Sequence, residues 1–416
     1  LLSYDRNRLN DPAQAMPGHR WLSQDEAQAR EKVLAGFHGA FEYHDAQMYS
    51  PERIALECLV DAEGHGAAIA NHLEAGRLLM RGKAVEGASV REEFTGAAFD
   101  IRAKLTLVAA GPWADLFLEH ATGRPAHHRL LRSKGIHLLL PEISHAALTV
   151  EAGSGHFFVL PWRGHTLLGT TDTEYRGDPS RVAVSESDID GFLGLVNRHL
   201  PEARLTRAQV EFFYAGLRPL VDDGSGQTYK ASRRSELVDH AKDDGINGLF
   251  SALGGKWTTS RQLAETVTDG VVKRLGMTAG PCLTAATPLP GARFEAWETL
   301  VKRHEQSWPG ISAVRHLSHM FGSRLPAVLK DAKVADLVPL GSSGDTMAQV
   351  EFAVREEMAL SLEDLVMRRT SLGQFGPSPH LDRVADRMAA LSNWDETRKA
   401  QEIASLAPIY RTSEAA

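Results

Sequence analysis

Cysteine is almost absent from this chain: Cys58 and Cys282 are the only two in 416 residues, far apart and in neither a metal-ligand nor a redox spacing. That excludes a disulfide framework, fits a reducing compartment, and leaves a small buried hydrophobe as the expected role of each. Equally lacking is any apolar run near the roughly 20 residues a helix needs to cross a bilayer. Positive charge is not in excess either. The formal net charge is −7, whereas phosphate backbones demand a basic surface, so no nucleic-acid partner is expected. An anionic substrate has to meet a local basic cluster instead. The chain opens Leu1-Leu2-Ser3, with neither an initiator Met nor a charged-then-apolar leader, which reads as a cut end rather than an exported one.

What is present indicates more than one structural unit, because 416 residues exceed what a single core usually organises. Ser23 and Glu26 have capping-box spacing and predict a helix toward Phe37; Ser50-Pro51 predicts a second, with Ile54, Leu59, Ile69 and Leu73 on its apolar face and Gly76 as its stop. Leu78-Leu79-Met80, alternating runs on either side of Thr95-Gly96, and Leu105 to Ala110 then predict strands. Short strand-like runs follow at Gly135 to Leu140, Phe157 to Pro161 and Thr166 to Gly169, with Arg163-Gly164 turning between the last two, so a mostly antiparallel sheet is expected. Helical periodicity returns at Gly255, and after the break Thr287-Pro288-Leu289-Pro290-Gly291 it continues to Ile409.

Five segments carry chemistry. Leu105 to Ala110 runs into Gly111-Pro112-Trp113, a tight strand-to-helix turn whose small residues let a cofactor approach the backbone, as they also do in an ordinary α/β turn. Gly254-Gly255-Lys256-Trp257-Thr258 places two glycines and a cation at a helix start, which suits an electron-rich ligand; the Walker spacing is absent, so a nucleotide kinase is disfavoured. Arg218, between Leu217 and Pro219, needs a bound anion or an internal partner such as Asp222 or Asp223, while Arg233 lies in a polar stretch. His137, in Lys134-Gly135-Ile136-His137, faces away from Leu138 and is either a structural group or a base. Asp172 ends Gly169-Thr170-Thr171-Asp172 and orients a base or caps a turn. His316 and His319, at i and i+3 with no third ligand nearby, are expected to be surface histidines.

In order and spacing these motifs, together with Tyr43-His44-Asp45-Ala46, Leu360 to Leu365 and Arg368 to Gly373, resemble the FAD-dependent glycerol-3-phosphate dehydrogenases over nearly the whole chain. The resemblance implies an α/β (α+β) flavoprotein of the D-amino-acid-oxidase-like type. Its FAD domain would be discontinuous, with residues 1–115 and 235–284 flanking a substrate domain with a mixed or antiparallel sheet at 116–234, and a helical domain at 285–416. It implies oxidation of sn-glycerol 3-phosphate to dihydroxyacetone phosphate, with electrons passed to quinone at the cytoplasmic face of a membrane, the enzyme being peripherally bound there, and a homodimer among its partners. Arg218 and Arg233 would hold substrate, His137 would take the hydroxyl proton, and Lys256 would stand by the flavin with Ala110, Gly111, Trp113, Gly254, Gly255, Trp257 and Thr258. The family's Gly-x-Gly-x-x-Gly turn occurs nowhere in the sequence, so weak FAD binding by this chain is expected. An oxidase using oxygen, and an inactive fragment acting only as a binding module, are the alternatives.

Overall fold

The computed structural model describes residues 16–153, 155–222 and 235–413. The expected capping box closes, Ser23 N donating to Glu26 Oε2 at 2.8 Å and Glu26 N to Ser23 Oγ at 3.4 Å. Its helix is only Gln24–Arg30, because Glu31 turns extended and its carboxylate accepts from the amides of His145 and Ala146. Ser50 caps the second helix, accepting from Arg53 N at 3.2 Å, with Pro51 in its first turn. That helix is Pro51–Gly64 and does not reach Gly76. Gly66 and His72 take left-handed backbone, and Leu73–Arg81 opens an antiparallel meander with Ala84–Glu92 and Ala98–Arg102.

The larger sheet has six strands among the described residues, all antiparallel. Leu130–Pro141 is its axis, paired with Phe212–Val221 on one side and with His165–Gly169 and Thr173–Glu174 on the other; Gly155–Trp162 and Leu148–Ala152 complete it. Arg163 and Gly164 both have positive φ, as a two-residue hairpin turn requires. Alternation gives the sheet two unlike faces. Ile136, Leu138, Leu140, Val159 and Leu168 point to one, where the helix Glu186–His199 covers them with Ile189, Phe192 and Val196. Ser133, Gly135 and His137 point to the other, in register with Arg218, Gly216 and Tyr214.

A smaller sheet sets Thr106–Val108 parallel to Leu249–Gly254, with Ser235–Asp239 antiparallel beyond it. Val108, Leu249 and Leu253 share a core with Leu118 of the helix Ala114–Thr122 and with Leu78 and Val85 of the meander. From Trp297 onward the regular structure is helical, but in short pieces such as Trp297–Ser307, Ala348–Glu356 and Leu381–Ser392, with a π-helical turn at Asp364–Arg369. Two apolar clusters hold them together, one about Leu317, Phe321 and Leu325, the other about Val350, Leu362 and Met388. No helix among the described residues is long and apolar enough to cross a membrane.

Cys58 and Cys282 are exposed, not buried as expected. Cys58 lies on the outer side of Pro51–Gly64, whose inner side buries Arg53, Leu56 and Glu57, so charged residues hold the positions the apolar pattern would have filled.

Candidate active site

Two glycine turns leave the smaller sheet side by side, because Thr106–Val108 and Leu249–Gly254 are adjacent and parallel and so release the chain at the same edge. Gly111, Gly254 and Gly255 all take positive φ, which only glycine adopts without strain and which leaves the backbone there bare. Ala110 and Gly111 are half-buried, and the Gly111–Trp113 turn packs against both Leu249–Gly254 and Phe212–Val221. Trp113, Lys256, Trp257 and Thr258 are exposed around these turns, Trp113 Nε1 donating to Ser180 Oγ at 2.9 Å. Open sheets bind ligands at the carboxyl ends of such parallel strands, and the bare, cation-flanked backbone fits one side of a dinucleotide cofactor.

Sequence patterning did not single out the pair that fixes the first turn. Asp115 is buried and ion-paired with Arg132, and its second oxygen accepts from Leu130 N at 3.1 Å; Arg132 Nε donates to Pro112 O at 2.8 Å. The Gly111-Pro112-Trp113 turn is thereby pinned to the start of the sheet's axial strand. An Asp and an Arg in unrelated segments leave no periodic signal to find.

On the outer face of the larger sheet, Arg218 and His137 come together. Arg218 Nη1 donates to Ser133 Oγ and Thr171 O at 3.3 and 3.1 Å, and Nη2 to Thr170 Oγ1 at 2.9 Å. Ser133 Oγ in turn donates to Asp172 Oδ1 at 2.6 Å, so Asp172 ties the segment after Gly169 to the axial strand. Thr171 Oγ1 accepts from Ile136 N at 3.1 Å, and Lys134 Nζ reaches the opposite side of the sheet to Asp188 at 2.8 Å. His137 is clamped. Its ring stacks on Tyr214 at 4.9 Å and 11°, and a Cβ at Gly169, the residue opposite it, would overlap the imidazole. Burial first, and the charge of Arg218 second, pull its pKa down to about 4. Its Nδ1 is buried without a hydrogen-bond partner among the described residues. Arg233 lies outside the described residues.

A cavity of about 330 Å³ continues from Tyr214 between the sheet, residues 47–52 and the helical part. Leu139, Leu160, Leu167 and Phe212 line it, and among the described residues its lining includes no Lys, Arg or His. Beside it, His316 is not a surface residue: its Nδ1 meets Tyr49 Oη at 2.6 Å and its Nε2 meets the fully buried Asp345 at 2.9 Å. His319, though exposed, stacks on Tyr49 at 4.4 Å. Arg163, at the hairpin tip, lies over the same tyrosine and bonds Ser371 Oγ, tying the sheet to the helical part.

Residues 3–261 match the family described as FAD dependent oxidoreductase, and residues 282–399 match the C-terminal domain of alpha-glycerophosphate oxidase. The chain is 34% identical to a glycerol-3-phosphate dehydrogenase of Synechocystis over 89% of its own length and 69% of that protein's. It is 30% identical to glycerol-3-phosphate dehydrogenase 2 of Mycobacterium tuberculosis, over 88% of its length and 63% of the relative's. A crystal structure of the glycerol-3-phosphate dehydrogenase from Bacillus halodurans, complexed with FAD, superposes with a TM-score of 0.78 at 25% identity, covering 94% of this chain and 81% of that one.

Proposed function

We propose that this chain, which belongs to the FAD-dependent glycerol-3-phosphate dehydrogenase family, oxidises the C2 hydroxyl of sn-glycerol 3-phosphate to give dihydroxyacetone phosphate. The observation that carries the proposal is a neutral, buried imidazole with an unpartnered nitrogen, held on the same sheet face as a fixed guanidinium. In this reading His137 accepts the hydroxyl proton, for which a pKa near 4 leaves it in the required neutral form at ordinary pH. Arg218, with Arg233, holds the phosphate or the C2 oxygen; its planar fork is already oriented by Ser133, Thr170 and Thr171. Ala110, Gly111, Trp113, Gly254, Gly255, Trp257 and Thr258 hold the flavin, and Lys256 offers it positive charge. FAD supplies the hydride acceptor.

The same reading divides the chain into FAD-binding segments 1–115 and 235–284, a substrate unit 116–234 and a helical unit 285–416. For the electron acceptor we propose a quinone, supported by the largely apolar cavity beside Tyr214, whose lining among the described residues includes no cation and so suits a neutral ring better than an anionic one. Peripheral attachment at the inner face of a membrane and a homodimer complete the proposal.

His137 also gives a pH test. In the unfolded chain a histidine takes up its proton near pH 6.5, whereas in the fold it does so near 4. Its contribution to stability is therefore full above about pH 6.5 and is lost as pH falls from there toward about 4. Urea midpoints measured at pH 7 and pH 5 should differ less in His137→Asn than in the wild type, and the variant should lose turnover at pH 7. An unchanged pH slope together with normal turnover would exclude both roles.

A further inference from the structure

We infer that the bare face of Gly216 is the seat of the substrate's carbon skeleton, so that this glycine sets how bulky a substrate the site admits; the inference rests on the function proposed above and deepens it. A glycine inside a strand weakens it, and its presence calls for a reason. Elsewhere on this face the reason is internal. A Cβ at Gly135 would come within 2.6 Å of Arg218 Nη2, and one at Gly169 would overlap the His137 ring. At Gly216 no internal reason exists among the described residues: its φ is not positive, a Cβ built on it meets nothing within 4 Å, and it is exposed.

Its position supplies the reason. Gly216 is in register with Gly135, and that pair stands between the Tyr214 and His137 pair on one side and the Arg218 and Ser133 pair on the other. Same-face neighbours along a strand are about 6.6 to 6.8 Å apart, so the two pairs stand two such steps apart, with the side-chain-free glycine pair midway between them. The guanidinium folds back over Gly135, as the clash with a Cβ there shows. The gap left over Gly216 is bounded by the stacked Tyr214 and His137 pair at one end and a fixed cation at the other. A short carbon chain with a hydroxyl at one end and an anionic group at the other matches it, and a methyl on Gly216 would stand where that chain lies.

Calorimetric titration of sn-glycerol 3-phosphate, and separately of inorganic phosphate, into the 416-residue protein and its variants tests this. Gly216→Ala should weaken glycerol 3-phosphate binding about tenfold and Gly216→Val at least about a hundredfold, the cost of one or more misplaced methyl groups in a fitted site. Inorganic phosphate should bind both variants within about twofold of wild type, and neither melting temperature should fall, since nothing among the described residues occupies the space. Unchanged glycerol 3-phosphate binding in Gly216→Val overturns the inference, as does a parallel loss of phosphate binding or a variant that unfolds. If the wild type itself binds no glycerol 3-phosphate, the proposed function fails and the inference with it.

Discussion

Arg218→Lys is expected to lower kcat/KM for glycerol 3-phosphate by roughly ten- to a thousandfold, about 1.4 to 4 kcal/mol of transition-state stabilisation, with the fold and flavin binding retained. Lysine keeps the charge and loses the geometry. The guanidinium is aimed by three bonds, to Ser133 Oγ, Thr171 O and Thr170 Oγ1, and a single ammonium cannot make them while also presenting a flat, forked edge to an oxyanion. Those acceptors belong to the neighbouring strand Leu130–Pro141 and to the segment after Gly169, so the arginine is held where its strand alone would not hold it. Steady-state kinetics with circular dichroism on the same preparation decides the matter. Near-normal turnover, or loss of fold, would make Arg218 a structural residue and remove the substrate site from this face.

The largest stability effect is expected where the helix Pro51–Gly64 meets the helical part. Arg53 Nη1 donates to Glu357 Oε1 at 2.6 Å with both side chains buried, Arg53 Nη2 donates to Arg369 O at 3.1 Å, and Arg324 bridges Glu57 and Glu357. Taking one partner away leaves a charge in a place from which water is excluded, so Glu357→Ala should cost about 3 to 5 kcal/mol. Replacing both, as Arg53→Met with Glu357→Met, should recover much of that loss, because the pair contributes less than either ion alone would cost. Urea unfolding of the single and double variants checks this. A single variant as stable as the wild type would mean that water reaches the pair.

Local signals in the sequence survive in the fold wherever one short segment decides the outcome. The capping box at Ser23, the cap and proline at Ser50-Pro51 and the turn at Arg163-Gly164 all form, because each depends on neighbours within a few residues. The D-amino-acid-oxidase-like flavoprotein fold, with its helical C-terminal part, was legible through the spacing of motifs rather than through periodicity. Lengths were less legible. The axial strand Leu130–Pro141 begins well before Gly135, since its outer face carries Ser133, Gly135 and His137 and so breaks the apolar alternation at the site itself. Conversely, the pattern carried the second helix past Gly64, where the chain turns away through the left-handed Gly66. The pairs that fix the site could not be read from the chain at all. Asp115 with Arg132 joins a helix to the strand after it, Tyr49 with His316 joins segments far apart in sequence, and His316 looked like a surface residue because its partners Tyr49 and Asp345 lie outside its own helix.

The most direct test is anaerobic addition of sn-glycerol 3-phosphate to the FAD-loaded protein while the visible flavin absorption is followed. The expected result is bleaching of the flavin band by glycerol 3-phosphate, little by glycerol, and much slower bleaching in His137→Asn and Arg218→Lys. A band left unchanged by glycerol 3-phosphate with FAD bound, or bleached equally by glycerol, would contradict the proposed activity.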